Sequence, residues 1–176
     1  MKSAKGITSA IFNVLTEMAS GLEVVFSRKS FYEKSMMLEF GFKPWQVNRV
    51  LKGLEDRQYL VNRNNKFFLT RKGEIKLNHH QLAKIKLCFE NKWDSKWRLI
   101  IFDIPEHVRE VRDALRGKLR EWNCYKVQNS VFVCPFDCRK EIAQICTILK
   151  AHAWIHIFLI DQLGSIEPKV KKYYNL

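Results

Sequence analysis

"KWRLIIFDIPEHVREVRDALRGKLREW", Lys96 to Trp122, decides how the second half of the chain is built. Trp97 to Phe102 alternates between two faces, and both are apolar: Trp97, Leu99 and Ile101 on one, Ile100 and Phe102 on the other. A strand buried on both sides needs a helix layer beneath it and a second cover above. The run stops on a carboxylate, Asp103, and Pro105 and Glu106 then open a helix. Its apolar stripe is Val108, Val111, Leu115, Leu119 and Trp122. Arg109, Arg112, Arg116 and Arg120 form a basic stripe displaced by about 100°. They therefore flank the core face.

Downstream, "YKVQNSVFVC" (Tyr125 to Cys134) is again apolar on both faces around Val131. Asp137 is expected to cap a helix that turns Ile142, Ile145, Ile148 and Leu149 inward, and "AWIHIFLID" closes as a strand. Four strands and two helices in this order predict a ferredoxin-like βαββαβ domain over residues 91–176, with helices on one face. An apolar helix-free face predicts a homodimer, stacked or paired through it, so this half is expected to be a dimerisation domain. "ENKWDSKW", with an Asp-Ser turn between Trp93 and Trp97, marks the domain boundary.

Upstream, Ile7, Ile11, Val14/Leu15 and Met18 recur at helical spacing and predict a helix ending near Ser20-Gly21. "SFYE", Ser30 to Glu33, has the form of a capping box opening a second helix, which Gly41 would close. Pro44 suits the first turn of a third helix, whose buried stripe is Val47, Val50/Leu51 and Leu54. Gln46, Arg49, Lys52 and Gly53 lie on its exposed side, with Lys43 and Asn48 near its start. "YLVNRNNKFFLT" reads as a hairpin around Arg63-Asn64-Asn65, since asparagine tolerates positive φ. Thr70 then caps a further helix, whose His79-His80 end is expected to be solvated. The order predicts a winged helix-turn-helix DNA-binding domain over residues 1–90, and thus an α+β chain. Gln46, Asn48 and Arg49 are expected to read bases, while Lys43, Lys52, Arg63 and Lys66 hold phosphates.

Composition agrees with an anionic partner. The 176 residues carry a net charge of +13, where about +5 would serve solubility alone, which points to nucleic acid. An apolar content of 47% and a charged content of 28% are those of a globular protein. "AWIHIFLI" is too short to span a bilayer, and the basic start "MKSAKGITSAIFNVLTEMASG" is broken by polar residues at helical spacing, unlike a signal peptide. Five cysteines without a C-x-x-C pair suggest free thiols, and so a cytoplasmic location. Cys134-x3-Cys138 and His152-x3-His156 nearly match zinc-finger spacing, but two histidines four apart on a strand lie about 13 Å from each other. None of the cysteines adjoins an obvious base in sequence.

"KWDSKWRLIIFDIPEHVREVRDALRGKL" and "VQNSVFVCPFDC" resemble the central domain of the PaaX family, repressors of phenylacetate degradation. That domain is similar to the small ferredoxin-like protein of CRISPR adaptation, whose strand-ending aspartate and Q-x-S-V-F strand correspond to Asp103 and to Gln128, Ser130, Val131 and Phe132. "FFLTRKG", Phe67 to Gly73, fits the PaaX-type N-terminal domain. The resemblance implies a homodimeric transcriptional repressor that binds double-stranded DNA; release by an aryl-acyl coenzyme A is a trait of that family. Full-length members carry a further C-terminal domain, whereas this chain stops at Leu176, so a small-molecule effector stays open. Asp103 has two readings. It either caps the Pro105 helix or pairs with an arginine, or it holds Mg²⁺ beside its symmetry mate in a metal-dependent, CRISPR-associated-type nuclease or adaptation accessory. An architectural or RNA-binding protein without sequence choice is a third possibility.

Overall fold

The computed structural model describes residues 4–18, 25–37, 43–87 and 93–176. The chain divides into two compact units, Met1–Gln81 and Leu82–Leu176. This division precedes the expected 90/91 boundary for a packing reason. Leu82, Ile85 and Leu87 are buried in the second unit's core, with Ile100, Phe102 and Leu119. Both units mix helices with an antiparallel sheet, as an α+β chain should.

The first unit runs α1 (Ala4–Met18), β1 (Val25–Phe26), α2 (Arg28–Met37), α3 (Pro44–Asp56), β2 (Leu60–Arg63), β3 (Lys66–Leu69) and α4 (Arg71–Leu82). Its core joins Val14 and Leu15 of α1, Phe31 of α2, Val47, Leu51 and Leu54 of α3, and Phe67 of β3. The strand β1 has no counterpart in the sequence reading. It pairs Phe26 with Phe67 in a sheet of order β1-β3-β2, and the two rings stack at 5.4 Å. The capping box of α2 is one turn earlier than expected. Ser27 Oγ accepts the Ser30 N–H at 3.1 Å, and Ser30 Oγ accepts the Ser27 N–H at 2.9 Å. Glu33 instead pairs with Lys29 at 3.9 Å. The proposed helix ends at Ser20-Gly21 and Gly41 lie outside the described residues.

Thr70 caps α4 as its sequence suggests: its hydroxyl oxygen accepts the Gly73 N–H at 3.0 Å and donates to the Gln58 carbonyl at 2.6 Å. Gly73 is required sterically, because a Cβ there would lie 2.1 Å from the Tyr59 carbonyl oxygen. His79 is exposed, but His80 is half-buried against α1, its Nε2 lying 3.0 Å from Asn13 Oδ1 and its ring 5.3 Å from that of Phe12. Gly73→Ala should destabilise the first unit by about 1–3 kcal/mol in urea unfolding. An unchanged midpoint would show that α4 is not held against Tyr59.

The second unit runs β4 (Trp97–Phe102), α5 (Arg109–Glu121), β5 (Tyr125–Gln128), β6 (Val131–Cys134), α6 (Arg139–Leu149), β7 (Ile155–Ile160) and α7 (Glu167–Tyr174). The sheet order is β5-β6-β4-β7, every pair antiparallel. Ile100, Phe102 and Phe132 pack with Val111, Leu115 and Leu119 of α5 and Ile142, Ile145 and Leu149 of α6. Asp137 stands just before the α6 cap residue, Cys138, and its carboxylate accepts the Arg139 N–H at 3.2 Å.

The opposite sheet face is not helix-free, which corrects the sequence reading. Val170 of α7 is buried with Trp97 and Val133, and Leu163, Ile166 and Tyr174 pack alongside. The Tyr174 hydroxyl accepts the Tyr125 N–H at 2.8 Å and lies 2.9 Å from the Val133 carbonyl oxygen, where it bridges β5 and β6. Burial pushes its pKa up. Tyr174→Phe leaves both backbone groups without that partner and should cost about 1–2 kcal/mol in urea unfolding. Wild-type stability in the variant would mean that α7 does not secure this face. Among the described residues no helix is long and apolar enough to cross a membrane.

Candidate nucleic-acid interface

Three features fix α3. Pro44 occupies its first turn, Lys43 precedes it in extended conformation (φ −78°, ψ 151°), and Gln46 Oε1 accepts the Lys43 N–H at 2.7 Å. The Gln46 oxygen thus serves the helix end, leaving its amide nitrogen to donate elsewhere. Val47, Leu51 and Leu54 are buried. Their burial turns Asn48, Arg49 and Lys52 to solvent. Neither Arg49 nor Lys52 forms an ion pair among the described residues. Asn48 and Lys52 also line an open depression with Arg28, Glu55 and Asp56. Glu55 and Asp56 add negative charge at the C-terminal end of α3, whereas Arg49 and Lys52 stand one turn or more before it.

The hairpin supplies a second cationic element. Asn64 and Asn65 have φ of 52° and 61°, the conformation of a two-residue type I′ turn. Arg63 and Lys66 then face each other across the ladder, and both are exposed. Like charges directly opposite are unfavourable without an anion. Both elements belong to the first unit.

The α5 arginines are mostly neutralised. Arg112 reaches Glu106 at 2.7 Å, and Arg109 reaches Asp113 at 3.4 Å. Arg116 donates from Nε to the Asn129 carbonyl at 2.9 Å, with its guanidinium 5.8 Å from the centre of the Phe102 ring. Arg120 is exposed. The stripe flanks the core, as helical geometry requires, and offers little free charge.

Asp103 stands exposed at the end of β4, its N–H donating to the Trp154 carbonyl at 2.9 Å. Neither the 3₁₀ turn at Glu106–Val108 nor α5 carries a side-chain cap, and Arg112 is taken by Glu106. The expected capping or arginine pairing is therefore absent: among the described residues the Asp103 carboxylate has no partner. Nor, among those residues, does any group of three or more His, Cys, Asp and Glu side chains come together as a metal site. Cys134 and Cys138 are buried, whereas His152 and His156 are exposed, so the zinc-finger spacing does not converge. Cys124 and Cys138 are pushed up by their hydrogen bonds to Cys134 and by burial. Buried thiols without access or a base are not nucleophiles.

The sequence reading missed Arg98, which lies within the apolar β4. It is 4% exposed and grips Asp94 at 2.6 and 2.7 Å, with the Pro135 carbonyl accepting at 3.1 Å. Hydrogen bonding to Arg98 holds the Asp94 carboxyl below its usual range. Arg98 is a structural anchor for the strand that ends in Asp103.

Residues 90–171 match a defined family, the PaaX protein central Cas2-like domain. Over those residues the chain is similar to that domain. No curated protein matches it.

Proposed function

We propose that the chain is a sequence-specific, double-stranded-DNA-binding transcriptional regulator, a cytoplasmic homodimer acting as a repressor. The observation that carries this is the exposed face of α3, where Asn48, Arg49 and Lys52 stand opposite the buried Val47, Leu51 and Leu54. The order helix, strand, helix, helix, hairpin and helix reads as a winged helix-turn-helix with α3 as recognition helix. Asn48 and Arg49 are the base readers, joined by the Gln46 amide nitrogen. Lys43, Lys52, Arg63 and Lys66 contact phosphates. The PaaX-like central domain supports the same class, since that family implies a regulator of phenylacetate catabolism.

The second unit reads as ferredoxin-like, with two copies joined through it. Because α7 covers part of the sheet face, the outer strand β7 is the better contact. Its Phe158 and Leu159 are 49% and 46% exposed, and an exposed edge strand seeks a partner. Such a dimer prefers an inverted repeat with half-sites about 10 bp apart or a multiple of it.

Binding to a preferred duplex should weaken with salt. Arg49→Ala should cost about 1–3 kcal/mol at that site, and Lys52→Ala should lower the salt slope by about one. Fluorescence anisotropy measures all three. Equal binding by Arg49→Ala and wild type, across preferred and scrambled duplexes, would remove α3 from recognition.

One observation favours a second reading, a metal-dependent nuclease: the unengaged Asp103 carboxylate. Each chain would offer one such group, and a divalent cation needs further oxygen ligands. DNA and RNA incubated with Mg²⁺ or Mn²⁺ should stay intact with wild type and with Asp103→Ala. Cutting that depends on metal and vanishes in Asp103→Ala would establish this reading instead.

A further inference from the structure

Trp45 is unexplained by packing. It is 58% exposed and stands apart from the first unit's core cluster. Its position is informative. Trp45, Asn48, Arg49 and Lys52 follow the spacing i, i+3, i+4, i+7, so they share one helix face, and all four are exposed. An indole left in water on a face otherwise made of amide and cationic groups suits a partner that is anionic overall and locally apolar. Pro44 places it in the first turn of α3, the end that recognition helices present to base edges.

Duplex DNA offers one apolar group on its major-groove floor, the thymine 5-methyl, because the base faces are stacked out of reach. We infer that Trp45 is a specificity-determining residue that lays its indole against a thymine methyl group; this rests on the DNA-binding reading above. The adjoining Asn48 and Arg49 donate to neighbouring bases, and the tryptophan adds a contact that hydrogen bonding cannot supply. A helix face that only held phosphates would need no indole.

The test uses the full chain and a randomised duplex pool. Wild type, Trp45→Ala and Trp45→Phe are each carried through rounds of selection, and each thymine of the wild-type consensus is then replaced by deoxyuridine, which lacks only the methyl group. Wild type should enrich thymine at one position and bind the uracil version there about fourfold more weakly, the worth of one buried methyl. Trp45→Ala should bind both duplexes equally while keeping the other consensus positions, and Trp45→Phe should retain part of the discrimination. Trp45 is exposed, so a matching circular dichroism spectrum is expected. The inference is overturned if wild type ignores the methyl group everywhere, or if Trp45→Ala still discriminates. Preference for single strands over duplex, lost in Trp45→Ala, would also overturn it, in favour of base stacking. If no duplex is enriched at all, the DNA-binding reading itself fails.

Discussion

The burial of Val47, Leu51 and Leu54 against α1, α2 and the hairpin is the constraint on which the rest depends. A helix has one orientation that satisfies an apolar stripe, and choosing it fixes every other side chain around the axis. With the stripe inward, Trp45, Asn48, Arg49 and Lys52 have nowhere to go but solvent. The core that sets this rotation is aromatic, with Phe26, Phe31 and Phe67 in contact, and the face it leaves outside is amide-bearing and cationic. The character of that exposed face is a consequence of packing on the far side of the same helix.

The second unit solves a different problem. Its central strand is apolar on both faces, so it needs two covers, and it has them: α5 and α6 on one side, α7 on the other. Arg98 enters that strand only because Asp94 and the Pro135 carbonyl are placed to receive it. The result is a firm platform that ends in an exposed, unengaged Asp103. Two outer strands, β5 and β7, remain at the sheet margins, and the apolar residues of β7 are where a second copy would add.

Much of this was legible from residue order, and the failures have physical causes. The asparagine pair announced the hairpin because few other residues accept positive φ, and Pro44 announced α3 because it has no N–H to lose. The α2 cap was misplaced because Ser27-x-x-Ser30 and Ser30-x-x-Glu33 overlap, and only the fold decides which serine meets free N–H groups. The two-residue β1 carries too little periodicity to be seen. The helix α7 went unread because a short segment bearing three lysines shows its apolar side only once Val170 finds Trp97. Arg98 was hidden by its neighbours, its burial depending on a carboxylate four residues away. Trp45 was overlooked because an aromatic beside a proline looks like core until its exposure is known.

The central claim is that the first unit meets DNA through the solvent face of α3. Backbone amide NMR of the labelled full chain, titrated with a duplex selected from a random pool, tests it residue by residue. Shifts concentrated at residues 43–56 and 63–66 are predicted, with the Trp45 indole resonance among the most perturbed. Shifts confined to Leu82–Leu176, with α3 unmoved, would contradict the account.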